Sequence, residues 1–240
     1  MIKETLIAIS LITNISLTSL GVTPSAQLTQ QHQTVLATQT LDLTNRLPGE
    51  FGNQVFADNI LLNLHYIKGD VEELRMSNEI LNQVQNDKQS RISGPGDIDW
   101  KKVREPFEVS FALKPGEVFA FHENVLPEYK NIVNITSNSH FDFANGYKSL
   151  NGLSGNGVCH LASLINWVAK EADLESKSMV NHDFSPVPGV PREYGASIYY
   201  SPSGGLNTES QNLYIKNNFD YPVKFEFKAD SKEVNLTIVK

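Results

Sequence analysis

Cys159 is the only cysteine in the chain, and it stands in the segment Gly155-Asn156-Gly157-Val158-Cys159-His160 at the head of an apolar helical pattern. A cysteine in the first turn of a helix meets unsatisfied N–H groups and the positive end of the helix dipole, which favour thiolate over thiol. The glycines permit a tight backbone approach and leave room for a substrate. A thiol nucleophile also needs a base. His182 follows after one helix and a short return segment, which places it on a strand packed against the helix start. Such a pair supports acyl transfer: Cys159 attacks an amide or ester carbonyl, and His182 takes the thiol proton and returns it to the leaving amine. The N–H groups from Val158 to His160, with the Asn156 side chain, are the expected oxyanion donors. His160 neighbours the thiol in sequence but points away from it on a helix, and reads as a polar wall or cap. The plainer alternative is that Cys159 is buried packing, as free cysteines commonly are.

Other chemistry-bearing residues are less organised. His122, His140, His160 and His182 show no recognised metal-ligand spacing, so no metal and no cofactor is expected. Phe121, Phe141, Phe143, Tyr147, Trp167 and Tyr199 offer a carbohydrate-stacking surface or, more plainly, core packing. One cysteine excludes an internal disulfide framework. A net charge of −7 over 240 residues argues against a nucleic-acid partner, which would call for a basic patch.

The elements that must position Cys159 and His182 follow from periodicity. Leu161, Leu164, Ile165, Val168 and Ala169 predict a helix over Cys159–Ala172. Phe107, Val109, Phe111 and Leu113 alternate with polar or small residues, Lys114-Pro115-Gly116-Glu117 makes a turn, and alternation resumes to His122; this predicts a β-hairpin. Ala196–Tyr200 reads as a strand, and Asn212–Lys216, Val223–Phe227 and Val234–Val239 as an antiparallel ladder. Residues 56–67 fit either helical or strand spacing. Residues 70–86 favour a helix, and 90–97 a Gly-Pro-Gly loop. The fold class is α+β, an antiparallel sheet with a central helix beginning at the cysteine.

The amino terminus differs in character. Residues 5 to 41 contain no Asp, Glu, Lys or Arg, and Leu6–Ile12 is a short apolar run behind Lys3. Residues 1–26 therefore read as a signal peptide or membrane anchor, which places the protein outside the cytoplasm, secreted or membrane-anchored. Residues 27–47, rich in Gln and Thr, read as a flexible tether, with the folded part starting near Pro48 or Phe51. Residues 48–105 form an extension to a domain spanning 106–240.

Four segments in order resemble the VanW-like family. Lys114–Glu123 resembles its hairpin, Gly155–His160 its glycine-cysteine signature, His182 with Pro186-Val187 and Val190-Pro191 its histidine stretch, and Asn212–Val223 its closing motif. The order of a helix cysteine and a later histidine is also similar to transglutaminase-like and papain-like thiol enzymes. The resemblance implies an envelope-located bacterial protein. The expected function is a thiol enzyme acting on amide or ester bonds of peptidoglycan or other envelope material, with a non-catalytic envelope glycan- or peptide-binding or structural module as the alternative. His160 replaces the family's Gln, and Asn156 one of its glycines. A family Asp falls near Gly195, so any group orienting His182 would have to be Glu193, Asp183 or a backbone carbonyl.

Overall fold

The computed structural model describes residues 33–75, 97–201 and 208–240. The expected signal segment 1–26, residues 76–86 of the expected helix and most of the 90–97 loop lie outside the described residues.

Within the expected tether, of which residues 27–32 lie outside the described residues, 35–42 form a strand. β1 (Val35–Asp42) pairs antiparallel with β10 (Glu233–Val239), Leu41 opposite Val234 and Gln39 opposite Leu236. Ala37 and Leu41 are buried, while Thr38 and Thr40 face outward and bond to Thr237 and Asn235. Threonine suits a pleated, half-exposed surface, so the composition that suggested flexibility serves a sheet edge. The folded part therefore begins ahead of Pro48. Residues 43–46 are then fixed by Asn53, which accepts from the Arg46 N–H and donates to the Leu43 carbonyl.

Residues 56–67 resolve as helix. α1 (Glu50–Lys68) buries Ile60, Leu61, Leu62 and Leu64, and ends at Gly69, whose φ of 84° is the left-handed cap. Residues 71–74, the described start of the expected 70–86 helix, form one 3₁₀ turn, and α2 (Trp100–Val103) is a single turn capped by Asp99. On α1, buried Asp58 pairs with Lys148 and Arg104. Next to it, Asn59 accepts from the Lys148 N–H and donates to the carbonyls of Lys148 and Asn156. This clamp joins α1 to the approach to Cys159.

The first sheet runs β1-β10-β9-β2, with β2 at Phe107–Leu113 and β9 at Val223–Ala229. The second runs β4-β3-β8-β7, with β3 at Val118–Ala120, β4 at Val133–Ile135, β7 at Glu175–Ser178 and β8 at Leu213–Lys216. β5 (Ser149–Leu150) and β6 (Leu153–Ser154) make a short ribbon ahead of the glycines.

The expected hairpin is a corner. β2 and β3 do not pair with each other: β2 pairs with β9, and β3 with β8 and, in parallel, with β4. The two chains run on as one antiparallel ribbon that changes sheets at 114–117 and 217–222. For the same reason Asn212–Lys216 and Val223–Phe227 belong to different sheets rather than to one ladder. Buried Asn217 holds the corner. Its N–H donates to Glu117 O (3.0 Å), its carbonyl accepts from Gly116 (2.8 Å), and its side-chain amide donates to Leu113 O (2.9 Å) and Tyr221 O (2.8 Å). A bend strips ladder partners from carbonyls, and Asn217 supplies replacements.

The central helix α3 (Val158–Glu171) is buried on nearly every side, against β1, β10, β7, β8 and α1. The architecture is mixed α+β, with mostly antiparallel sheets around this helix. Among the described residues no helix is long and apolar enough to cross a membrane.

Candidate functional site

The start of α3 is set by glycine geometry. Gly157 caps it with φ 103°, and a Cβ there would lie 2.5 Å from the Phe56 carbonyl oxygen of α1. Gly155 has φ 70°, with its missing Cβ 2.9 Å from the Phe141 carbonyl. Only glycine allows both the backbone conformation and the contact.

Cys159 then belongs to a row of polar side chains on one helix face. Ile198 N–H donates to Cys159 Sγ (3.4 Å), and the thiol lies 3.6 Å from the Ile198 carbonyl, which accepts from it. Ala196 N–H donates to Ser163 Oγ (2.9 Å), and Asn166 Nδ2 donates to Tyr194 O (2.9 Å). Four helical residues rise about 6 Å and two extended residues about 6.6 Å, so the helix and the 194–198 segment keep step as they run in opposite directions. The other edge of that segment bonds through Ser197 N–H to Val180 O and Tyr199 N–H to Gln211 O. The expected strand at 196–200 is therefore extended but not part of a sheet, because helix side chains stand where a partner strand would. Burial pushes the Cys159 thiol up to about 11, against the backbone N–H groups that pull it down. The thiol is protonated at neutral pH, opposite to the thiolate expected from its place in the first helical turn.

Cys159 borders a cleft of about 590 Å³. Its walls are the 152–160 approach, Phe56 of α1, the 140–142 loop, the 182–186 loop and residues 197–200. Phe184 is 77% exposed and Tyr199 51% exposed, both on its rim. Of the other aromatics expected as a stacking surface, Phe141 also lines it, while Phe121 and Tyr147 are core, Phe143 faces solvent outside it and Trp167 stacks on Tyr194. A shallower depression over Glu108, Lys228, Asp230 and Glu233 is lined largely by solvated charges. Among the described residues, no group of three His, Cys, Asp or Glu could hold a metal ion.

His182 lines the same cleft, in a loop after β7 rather than on a strand. Its Nδ1 lies 2.8 Å from the Ser185 carbonyl, an acceptor only, so Nδ1 carries the hydrogen and Nε2 has the free lone pair. Burial lowers its pKa below the ordinary histidine range. Phe184 packs on the ring at 4.0 Å and His160 meets it edge-on at 5.9 Å. No hydrogen bond joins His182 to Cys159: the thiol is engaged by Ile198 and the imidazole by Ser185.

The remaining expected residues are placed as follows. Asp183 is exposed and faces Arg192 at 3.8 Å, and Glu193 is exposed on a 3₁₀ turn. Of the candidates to orient His182, the ring reaches the backbone carbonyl. A Cβ at Gly195 would lie 2.6 Å from Asn181 Oδ1 and 3.2 Å from the His182 N, so an Asp there would require the Asn181 side chain to move. Two of the expected oxyanion donors are engaged within the turn itself. Val158 N–H already donates to Gly155 O (3.1 Å) and His160 N–H to Gly157 O (2.9 Å), and Asn156 Oδ1 accepts from Leu150 N–H. These bonds close the turn into the helix and occupy the Val158 and His160 N–H groups and the acceptor end of the Asn156 amide, leaving its donor Nδ2 outside them. His160 is buried on the cleft wall against Phe56 at 5.0 Å, with Nδ1 lacking any hydrogen-bond partner.

Arg46 was hidden from sequence reasoning inside the supposed tether. It lines the cleft, is 2% exposed, and its Nε and Nη1 have no hydrogen-bond partner. Burial lowers its pKa to about 10. The signal available in the sequence was thin: a single cation after a long uncharged stretch.

No curated protein and no solved structure matches the chain. The family model described as "VanW like protein" matches residues 109–239, from β2 to the last strand, leaving β1, Arg46 and α1 outside it. That match spans more than half of the chain, which belongs to the VanW-like family.

Proposed function

We propose that this VanW-like chain is an envelope-associated binding domain, exported from the cytoplasm, whose cleft holds a peptide or glycan segment of peptidoglycan or related envelope material. The observation that carries this reading is the engagement of Cys159. Its thiol donates to and accepts from Ile198, as one of three side chains that hold residues 194–198, the segment that runs into the cleft wall at 197–200. A protonated thiol held this way positions the wall and is a poor nucleophile. Concave shape, exposed aromatic rims and a few convergent polar groups are what ligand recognition needs.

A second reading, a cysteine hydrolase or acyl transferase acting on envelope amides or esters, is favoured by one observation. His182 has its Nδ1 hydrogen fixed by Ser185, leaving Nε2 available as a base in the cleft that Cys159 borders. That reading requires the Cys159 side chain to leave Ile198 and meet His182.

Co-sedimentation with purified, insoluble peptidoglycan tests the binding reading. The parent chain should be retained. Tyr199→Ala and Phe184→Ala, which remove exposed rim aromatics, should each lower retention by about three- to tenfold without loss of folding. Variants that sediment as the parent does, or a parent that stays in solution, would reject it.

A further inference from the structure

Among the described residues Arg46 is the one buried cation on the cleft wall, and its surroundings there do not neutralise it. The acid whose field reaches it, Asp42, is spent on the Thr44 N–H and hydroxyl, at 2.8 Å and 2.7 Å. Among the described residues Arg46 forms no ion pair, and Nε and Nη1 have no acceptor. A buried guanidinium without a partner costs stability, and a protein that keeps one has a use for it. His160 adds a second unpartnered nitrogen, Nδ1, in the same cleft. The two groups are near enough for the charge on Arg46 to depress the His160 pKa, beside burial and His182. The imidazole is therefore neutral, and the pair presents one positive charge.

Building on the reading of the cleft as a ligand site, we infer that Arg46, with His160 beside it, receives a carboxylate of the ligand: the free terminus of a short peptide. One positive charge matches a monoanion. A phosphate near neutral pH carries closer to two negative charges and would meet too few donors. The planar guanidinium suits a carboxylate, presenting parallel N–H groups to its two oxygens. Phe56 and Leu47 give the residue bearing that carboxylate apolar walls. Because Asn53 holds the Arg46 backbone, the side chain can be changed without releasing the 43–46 segment.

Titration calorimetry and thermal melting of the full chain test this together. The probes are N-acetyl-alanyl-alanine, its carboxamide, a glucuronic acid as another carboxylate source, and inorganic phosphate. The free acid should bind roughly 10- to 100-fold more tightly than the amide, and more tightly than phosphate or the uronic acid. Arg46→Met should lose that preference while melting no lower than the parent, because an apolar side chain removes an uncompensated buried charge. Arg46→Lys should keep the charge but bind more weakly, lacking the fork. Equal binding of acid and amide would overturn the carboxylate assignment while leaving the cleft reading intact. Tighter binding of phosphate, or no binding of the acid by a chain that sediments with peptidoglycan, would also overturn it. A marked fall in melting temperature for Arg46→Met would show Arg46 to be a structural residue.

Discussion

A chain truncated to begin at Pro48 should fail to reach the native state. The deletion removes β1, leaves β10 as a bare edge, and takes away Ala37, Leu41 and Leu43, all buried. It also uncovers α3, which packs against β1. Removing one buried leucine side chain typically costs about 2–5 kcal/mol, and a domain of this kind has about 5–15 kcal/mol in all. Two buried leucines and a full strand of ladder bonds exceed that margin. Circular dichroism of the truncated chain should show lost cooperativity, and Leu41→Ala alone should lower the urea midpoint sharply. A truncated chain that melts with the parent would mean that β1 is a loosely attached edge.

Acid should destabilise the protein above the range in which carboxylates titrate. His122 is buried with both ring nitrogens bonded: Nε2 lies 3.0 Å from the Gln211 carbonyl, and Nδ1 accepts from Asn212 at 3.3 Å. Burial lowers its pKa to about 4. Burial, then the charge on Arg46, then His182 lower His160 to about 3. Both folded-state values lie below the unfolded value of about 6.5, so the unfolded chain binds more protons between them. The stability they supply is complete above about pH 6.5 and is lost as the pH falls toward 4. At about pH 5 each costs about 2 kcal/mol by linkage. Urea unfolding at stepped pH should show a steep decline across this window, and His160→Gln should flatten part of it. A profile level from neutrality to about pH 5 would refute the buried neutral histidines.

Helix α3 was legible because its apolar residues follow one period and the glycines mark its start. The strand segments were legible from alternation, but their partners were not. Residues 107–122 alternate across a turn just as a hairpin does, and the corner exists only through Asn217, which is distant in sequence. β1 escaped notice because Gln39 occupies a core-side position between Ala37 and Leu41 and donates to Glu171, interrupting the apolar pattern. Cys159 and His182, distant in sequence, both border one cleft. The partner of Cys159 was not legible, because it is the backbone of Ile198, and a backbone group leaves no mark on side-chain pattern. Ser163 and Asn166, four and seven residues after Cys159, trace the same helix face, a spacing that apolar periodicity alone does not pick out.

The central claim is that Cys159 is a protonated thiol held by Ile198 that shapes a binding cleft. Because the chain has no other cysteine, alkylation by iodoacetamide reports on this one sulfur. Its rate as a function of pH is the most direct measurement. The account predicts slow labelling near neutral pH, rising about tenfold per pH unit toward the value of about 11 set by burial, with no plateau on the way. A rate already at its maximum below about pH 7 would show a thiolate in the resting protein and contradict the account.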